Sequence, residues 1–172
     1  DFNAPSYNTV ANKALTRYSG KLNEVQKENW VEGKFGKAIE LNGVNNFVIA
    51  EGLDCALQDG LSFMFWVFPT RFWGSRTLVS FEGNGLLMKL GENDDKLFLQ
   101  FQSTYQKKVY ENMATLQKNQ WQSVGVTYDN KTKKVVVYLQ GKAVFEIYLE
   151  LTFEGAFTSA TLGAAGGKTE FF

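Results

Sequence analysis

Trp121-Gln-Ser-Val-Gly-Val-Thr-Tyr-Asp129 runs through Asn130-Lys-Thr-Lys133 into Lys134-Val-Val-Val-Tyr-Leu139, and the whole reads as a β-hairpin. In the first run Val124, Val126 and Tyr128 share one side, while Ser123, Gly125 and Thr127 share the other. That two-residue period is the mark of a strand with one face in a core. Asp129-Asn-Lys-Thr132 supplies turn residues. Gln140-Gly141 supplies a second turn, in which the glycine takes the positive φ that a two-residue hairpin requires. A meander of strands is therefore predicted here.

Outward from this segment the pattern repeats. Strands are predicted at Lys37–Leu41, Phe47–Ala50, Leu61–Phe68, Thr77–Phe81, Leu86–Leu90 and Lys96–Gln102, then Trp121–Tyr128, Lys134–Leu139, Ala143–Tyr148 and Ser159–Leu162. Asn42-Gly43, Glu82-Gly-Asn-Gly85 and Gly91-Glu-Asn-Asp-Asp95 punctuate them. Strands at such short spacing, with no helical pattern between, predict an all-β, antiparallel two-sheet β-sandwich. Leu97, Leu99 and Phe101 point to a core while Gln100 and Gln102 face out. Ser62-Phe-Met-Phe-Trp-Val-Phe68 is apolar on both sides, so that strand is expected to be covered on both faces or to sit under a loop. The first 33 residues are polar and poorly periodic, and read as a loop-rich segment with one short strand or turn. The chain is expected to be one domain over 1–172, since domains commonly run about 100–200 residues.

Composition removes several kinds of chemistry. There is no histidine among the 172 residues, so Ser-His-Asp and Cys-His constellations and His-based zinc sites are excluded. Eighteen basic residues balance eighteen acidic ones and no basic face is evident, so neither nucleic acid nor an anionic membrane is an expected partner. The apolar runs are too short to span a bilayer, and Asp1-Phe-Asn-Ala-Pro5 carries no signal-peptide pattern. The single cysteine, Cys55, cannot form an intrachain disulfide and reads as a small semi-buried residue.

Four segments resemble a known family. Gly33-Lys-Phe-Gly-Lys-Ala-Ile-Glu-Leu-Asn-Gly43 with Asn46-Phe-Val-Ile49 is similar to the opening of laminin-G-like domains of the concanavalin A-like lectin and glucanase superfamily. Leu61-Ser-Phe-Met-Phe-Trp-Val-Phe-Pro69, then Trp121–Asp129 with Val136-Val-Tyr-Leu-Gln-Gly-Lys142, and finally Thr161-Leu-Gly163 follow in the family's order. Pentraxins share this layout. The resemblance implies a jelly-roll sandwich, extracellular or on the cell surface, serving in binding or adhesion rather than catalysis. It also implies a further strand after the Thr161-Leu-Gly163 segment, so an unpaired strand edge is expected. Trp66 and Trp121 are expected in the core or at its rim.

Candidate chemistry is sparse. Glu146 and Glu150 echo the superfamily's glucanase motif, but Tyr148 replaces the middle aspartate. Alternate carboxylates four residues apart stand about 13 Å apart along a strand, beyond the ~5–5.5 Å of a retaining pair. No cofactor is expected. Calcium is the one ion in view, because Asp94 and Asp95 could ligate a cation, although they read first as a hairpin turn; Asn45 or Asn46 stands where many relatives carry an aspartate. The loop Thr70-Arg-Phe-Trp-Gly-Ser-Arg76 is unusual for its two aromatics and two arginines. Arg71, Phe72, Trp73 and Arg76, with Tyr105 as a neighbour, are the expected ligand-binding residues. Indole faces stack on sugars and guanidinium forks reach hydroxyls or acid groups. In the alternative, Phe72 and Trp73 fold back as a lid on the core. A glycan or glycoprotein is the expected partner; the second reading is a structural module contacting a neighbouring domain or subunit, and the third a diverged glucanase. Asn130-Lys-Thr132 is also an N-glycosylation acceptor pattern.

Overall fold

The computed structural model describes residues 9–11, 19–56, 60–72, 74–83, 86–102, 107–150, 156–165, 167 and 169–172. Fourteen strands are present among them: β1 (Thr9–Ala11), β2 (Ser19–Asn23), β3 (Trp30–Glu32), β4 (Lys37–Ile39), β5 (Phe47–Ala56), β6 (Gly60–Val67), β7 (Ser75–Gly83), β8 (Leu86–Asn93), β9 (Lys96–Gln102), β10 (Lys107–Tyr110), β11 (Gln122–Asp129), β12 (Lys134–Leu139), β13 (Lys142–Tyr148) and β14 (Ala156–Leu162). All ten predicted strands are present, several of them longer than expected. The first 33 residues depart from the expectation: they hold β1, β2 and β3 rather than one short strand. β2 joins the sheet beside β5, from Gly20 opposite Ala50 to Asn23 opposite Phe47. A five-residue strand with one apolar side chain, Leu22, carries too little periodicity to be read locally.

Two antiparallel sheets make the sandwich. The larger has the order β1-β2-β5-β14-β7-β8-β9-β10 and the smaller β13-β12-β11-β6, while among the described residues β3 and β4 pair only with each other. Val124, Val126 and Tyr128 do face the core, joined by Val135 and Val137 from β12. Across from them lie Val79, Phe81, Met88, Leu90, Leu97, Leu99 and Phe101 of the larger sheet. Phe63 of β6 meets Phe81 of β7 at 4.9 Å between ring centres, one of the contacts that join the sheets. The turns behave as their residues dictate. Gln140 and Gly141 both have positive φ, 53° and 74°, as a two-residue hairpin with strand-matched twist requires. Asp94 is left-handed at 56° in the β8–β9 turn, which Asp tolerates better than most residues.

The outer face of the larger sheet is polar and covered. Thr77, Ser80, Lys89 and Thr161 are all buried there. The closing segment supplies partners for three of them: Ser80 Oγ donates to Ala164 O at 3.2 Å, and Thr77 Oγ1 and Lys89 Nζ both donate to Glu170 Oε2, at 2.9 and 2.5 Å. β14 is paired on both sides, by β5 and β7. Among the described residues β1 and β10 end the larger sheet and β13 and β6 the smaller, each with one neighbour; β6 pairs with β11.

Candidate functional site

β6 is the strand whose both faces are apolar, and its alternation builds the site. Leu61, Phe63, Phe65 and Val67 turn inward and pack on the core. Met64 and Trp66, followed by Phe68 just past the strand, turn outward and remain 71%, 36% and 37% exposed. This corrects the expectation for Trp66: it stands on the outer face, because the inward positions of its strand are already taken by residues of odd number. The expected cover is present in part. The β3–β4 hairpin lies over this face, with Phe35 edge-on to Trp66 at 5.7 Å and Lys34 Nζ 5.5 Å from the Trp66 ring centre. Phe35 itself stays 75% exposed.

Trp121 extends the aromatic surface. It lies 5.3 Å from Phe68 between ring centres and is half-buried, which suits the expected core-rim position. Its backbone is held by Gln140, whose Nε2 donates to Trp121 O at 3.3 Å while Oε1 accepts from Ser123 N at 3.0 Å. Gln140 thus ties the β12–β13 turn to the start of β11.

Between the hairpin and β6 runs a groove of about 400 Å³. Trp66, Phe68 and Trp121 line it from the smaller sheet, Val31 and Ile39 from the hairpin, and Arg71 from the loop after β6. Apolar walls with a few polar groups are the usual composition of a small-ligand site. Arg71 is exposed, and among the described residues it makes no hydrogen bond or ion pair. Of the other loop residues expected to bind, Phe72 is half-buried and packs against the core. Arg76 lies on β7, half-buried, with Nε 4.0 Å from Glu92 Oε1. Trp73, Tyr105 and the side chain of Cys55 lie outside the described residues.

Glu92 is a feature that the sequence pattern hides. It sits on β8 opposite Arg76 and Leu97, fully buried, with neither carboxylate oxygen hydrogen-bonded. Burial pushes its pKa up to about 8; the Arg76 charge opposes this, and Asp94 and Asp95 add to it. In the sequence it looks like part of the Gly91–Asp95 turn. The turn proper is Asp94-Asp95, and Asp94 bonds with Gly74 instead, accepting from Gly74 N at 3.2 Å.

The remaining candidates are held by structural contacts. Glu146 pairs with Lys134 at 2.8 Å on the small sheet, and Glu150 lies 4.0 Å from Lys108 of β10 in the large sheet. The two carboxylates are engaged by cations of different sheets. Asn42 Oδ1 accepts from the backbone of Val44, Asn45 and Asn46, and the buried Asn46 donates to Glu24 O at 2.6 Å. Among the described residues no group of three or more Asp, Glu or Cys side chains is gathered closely enough to hold a metal ion, and no helix is long and apolar enough to cross a membrane.

The sequence profile of the Concanavalin A-like lectin/glucanases superfamily matches residues 42–172. The chain belongs to that superfamily. No curated protein sequence matches it. Among solved structures it is similar to domain 4 of AbnA, an extracellular arabinanase of family GH43 from Geobacillus stearothermophilus, solved with arabinotriose: 25% identity, TM-score 0.62, covering 78% of this chain and 65% of that one. It is also similar to the receptor-binding domain of botulinum neurotoxin D, at 15% identity and TM-score 0.67, covering 90% of this chain and 43% of the other. The CBM40 of a Ruminococcus gnavus sialidase, bound to α2,3-sialyllactose, matches at 15% identity and TM-score 0.53, covering 67% of this chain and 75% of that domain. The superfamily member described here thus spans less than half the length of the toxin chain it matches. At 15% identity the last two likenesses show the shared β-sandwich alone.

Proposed function

We propose that this superfamily member is a noncatalytic carbohydrate-binding or adhesion module of an extracellular or surface protein, and that its glycan lies in the groove beside β6. The observation that carries this reading is the run Trp66–Phe68–Trp121, partly exposed along a mostly apolar groove with Arg71 on its wall. Rings of this kind offer flat apolar area to the C–H faces of sugars, and the indole N–H adds a donor. Phe72, Trp73, Arg76 and Tyr105 are proposed as further ligand-binding residues beside that role of Arg71. The likeness to an arabinanase domain solved with arabinotriose supports a glycan as the ligand class. A glycan array probed with the wild-type chain and with Trp66→Ala tests it. Binding that Trp66→Ala abolishes while the melting temperature is kept supports the reading; an array with no bound glycan overturns it.

A second reading, a structural module in an assembly, is favoured by the β6 edge. Gly60–Val67 carries no charge over eight residues, whereas two of the other three terminal strands, β10 and β13, carry Lys107, Lys108, Lys142 and Glu146, and the third, β1, is only three residues long. Charged residues commonly guard a free edge against pairing. Light scattering during size-exclusion chromatography decides this reading: a monomer at all concentrations counts against self-assembly through β6.

A further inference from the structure

The charges around the groove point to the class of sugar. Four charged side chains bear on it from the described residues: Glu32, Glu40 and Arg71 line it, and Lys34 sits above Trp66. Glu32 is neutralised by Lys37. Lys34 and Arg71 therefore outnumber the single uncompensated carboxylate, that of Glu40; Arg71 lies on the groove wall, and Lys34 stands over Trp66 from the tip of the hairpin whose strands form the other wall. Among the described residues Lys34 is held only over the indole ring, a contact worth about 0.5–1 kcal/mol at an exposed site. A sugar ring stacking on Trp66 would displace that ammonium to the rim of the ligand. Arg71, free among the described residues, presents a fork that suits a carboxylate in two-point contact.

We propose that the groove selects saccharides bearing a carboxylate, with Trp66 as the stacking platform, Arg71 as the carboxylate anchor and Lys34 as a second, movable cation. This rests on the glycan reading above and narrows it. The shared chemistry is a sugar carboxylate, whether of a hexuronic acid or of a terminal nonulosonic acid. Lys34 stands on the hairpin tip that Gly33 N closes by donating to Gly36 O at 2.7 Å, and its flexible four-carbon stem lets the ammonium swing from the ring to the rim of a ligand.

The test compares ligands that differ in charge at one shape. Calorimetric titration would use trigalacturonic acid against its methyl ester, and sialyllactose against its methyl ester, at 50 and 300 mM salt. The expected result is tenfold or tighter binding of the acid in at least one pair, weakening with salt, with that preference lost in Arg71→Gln and reduced in Lys34→Gln. The pair that discriminates identifies the source of the carboxylate. Equal binding of acid and neutral partner, or a preference unchanged in Arg71→Gln, overturns the acidic-sugar inference and leaves the glycan reading standing. Failure of all four ligands overturns this inference too, and the glycan reading falls with it only when a broad neutral array is also blank.

Discussion

Arg76 Nε lies 4.0 Å from Glu92 Oε1, and it is the cation set against a carboxylate that has no accessible surface and no hydrogen bond to either oxygen. A guanidinium at that distance lowers the pKa of the acid less than burial raises it, and the balance comes to about 8. The residue that looks like a turn acid in the sequence therefore remains protonated at neutral pH inside the sandwich.

Stability should fall with rising pH through this group. The ordinary Glu pKa is 4.5 and the folded value is about 8. Between those values the folded chain keeps the proton and the unfolded chain releases it, so unfolding is favoured by each increase in pH. One such group contributes a slope of up to about 1.4 kcal/mol per pH unit, which vanishes below 4.5 and levels off above 8. Urea titrations from pH 5 to 9 should show this slope in the wild type and its loss in Glu92→Gln. Parallel profiles for the two proteins would contradict the assignment.

Lys89 and Glu170 should show strong coupling. Lys89 is almost fully buried under the closing segment, and its ammonium reaches Glu170 at 2.5 Å. Glu170→Ala leaves a buried charge without its carboxylate, at a cost of roughly 2–4 kcal/mol. Lys89→Met combined with Glu170→Ala should recover much of that loss. A double-mutant cycle by chemical denaturation measures it, and additive losses would mean that the pair is not an energetic unit.

Gly91 should tolerate no side chain. A Cβ built there comes within 2.3 Å of Arg76 O and 2.5 Å of the Phe98 ring. The ring can shift, but the carbonyl belongs to the neighbouring strand β7. Gly91→Ala should cost about 1–3 kcal/mol through forced backbone movement. A melting temperature equal to wild type would show that β7 and β8 separate more easily than their pairing implies.

Core and outer-face aromatics should differ in kind. Phe157 is 2% exposed and packs 5.8 Å from Phe81. Phe157→Ala should lose about 3–5 kcal/mol of stability, whereas Trp66→Ala, on the outer face, should lose far less and act on binding. Comparable losses in both would place Trp66 among the core supports.

Much of the sandwich was legible because strand periodicity is local. Val124, Val126 and Tyr128, or Leu97, Leu99 and Phe101, declare their inward face within six residues, and Gln140-Gly141 declares its turn within two. Polar β2 and the short β3 and β10 were illegible, since the residues that make them strands are their partners across the ladder: Val48 and Ile49 for β2, Leu99 and Gln100 for β10. The site divides in the same way. Sequence alone marked Arg71 as a loop cation among aromatics, and the balance of charge and absence of histidine had already set aside whole classes of chemistry. Only the tertiary structure decided which side of β6 meets the opposite sheet. In Ser62–Phe68 both registers bury aromatic rings, so local hydrophobicity could not separate Phe63 and Phe65 from Trp66 and Phe68. The separation came from Phe81 on a distant strand, which packs against Phe63 and leaves Trp66 to the groove.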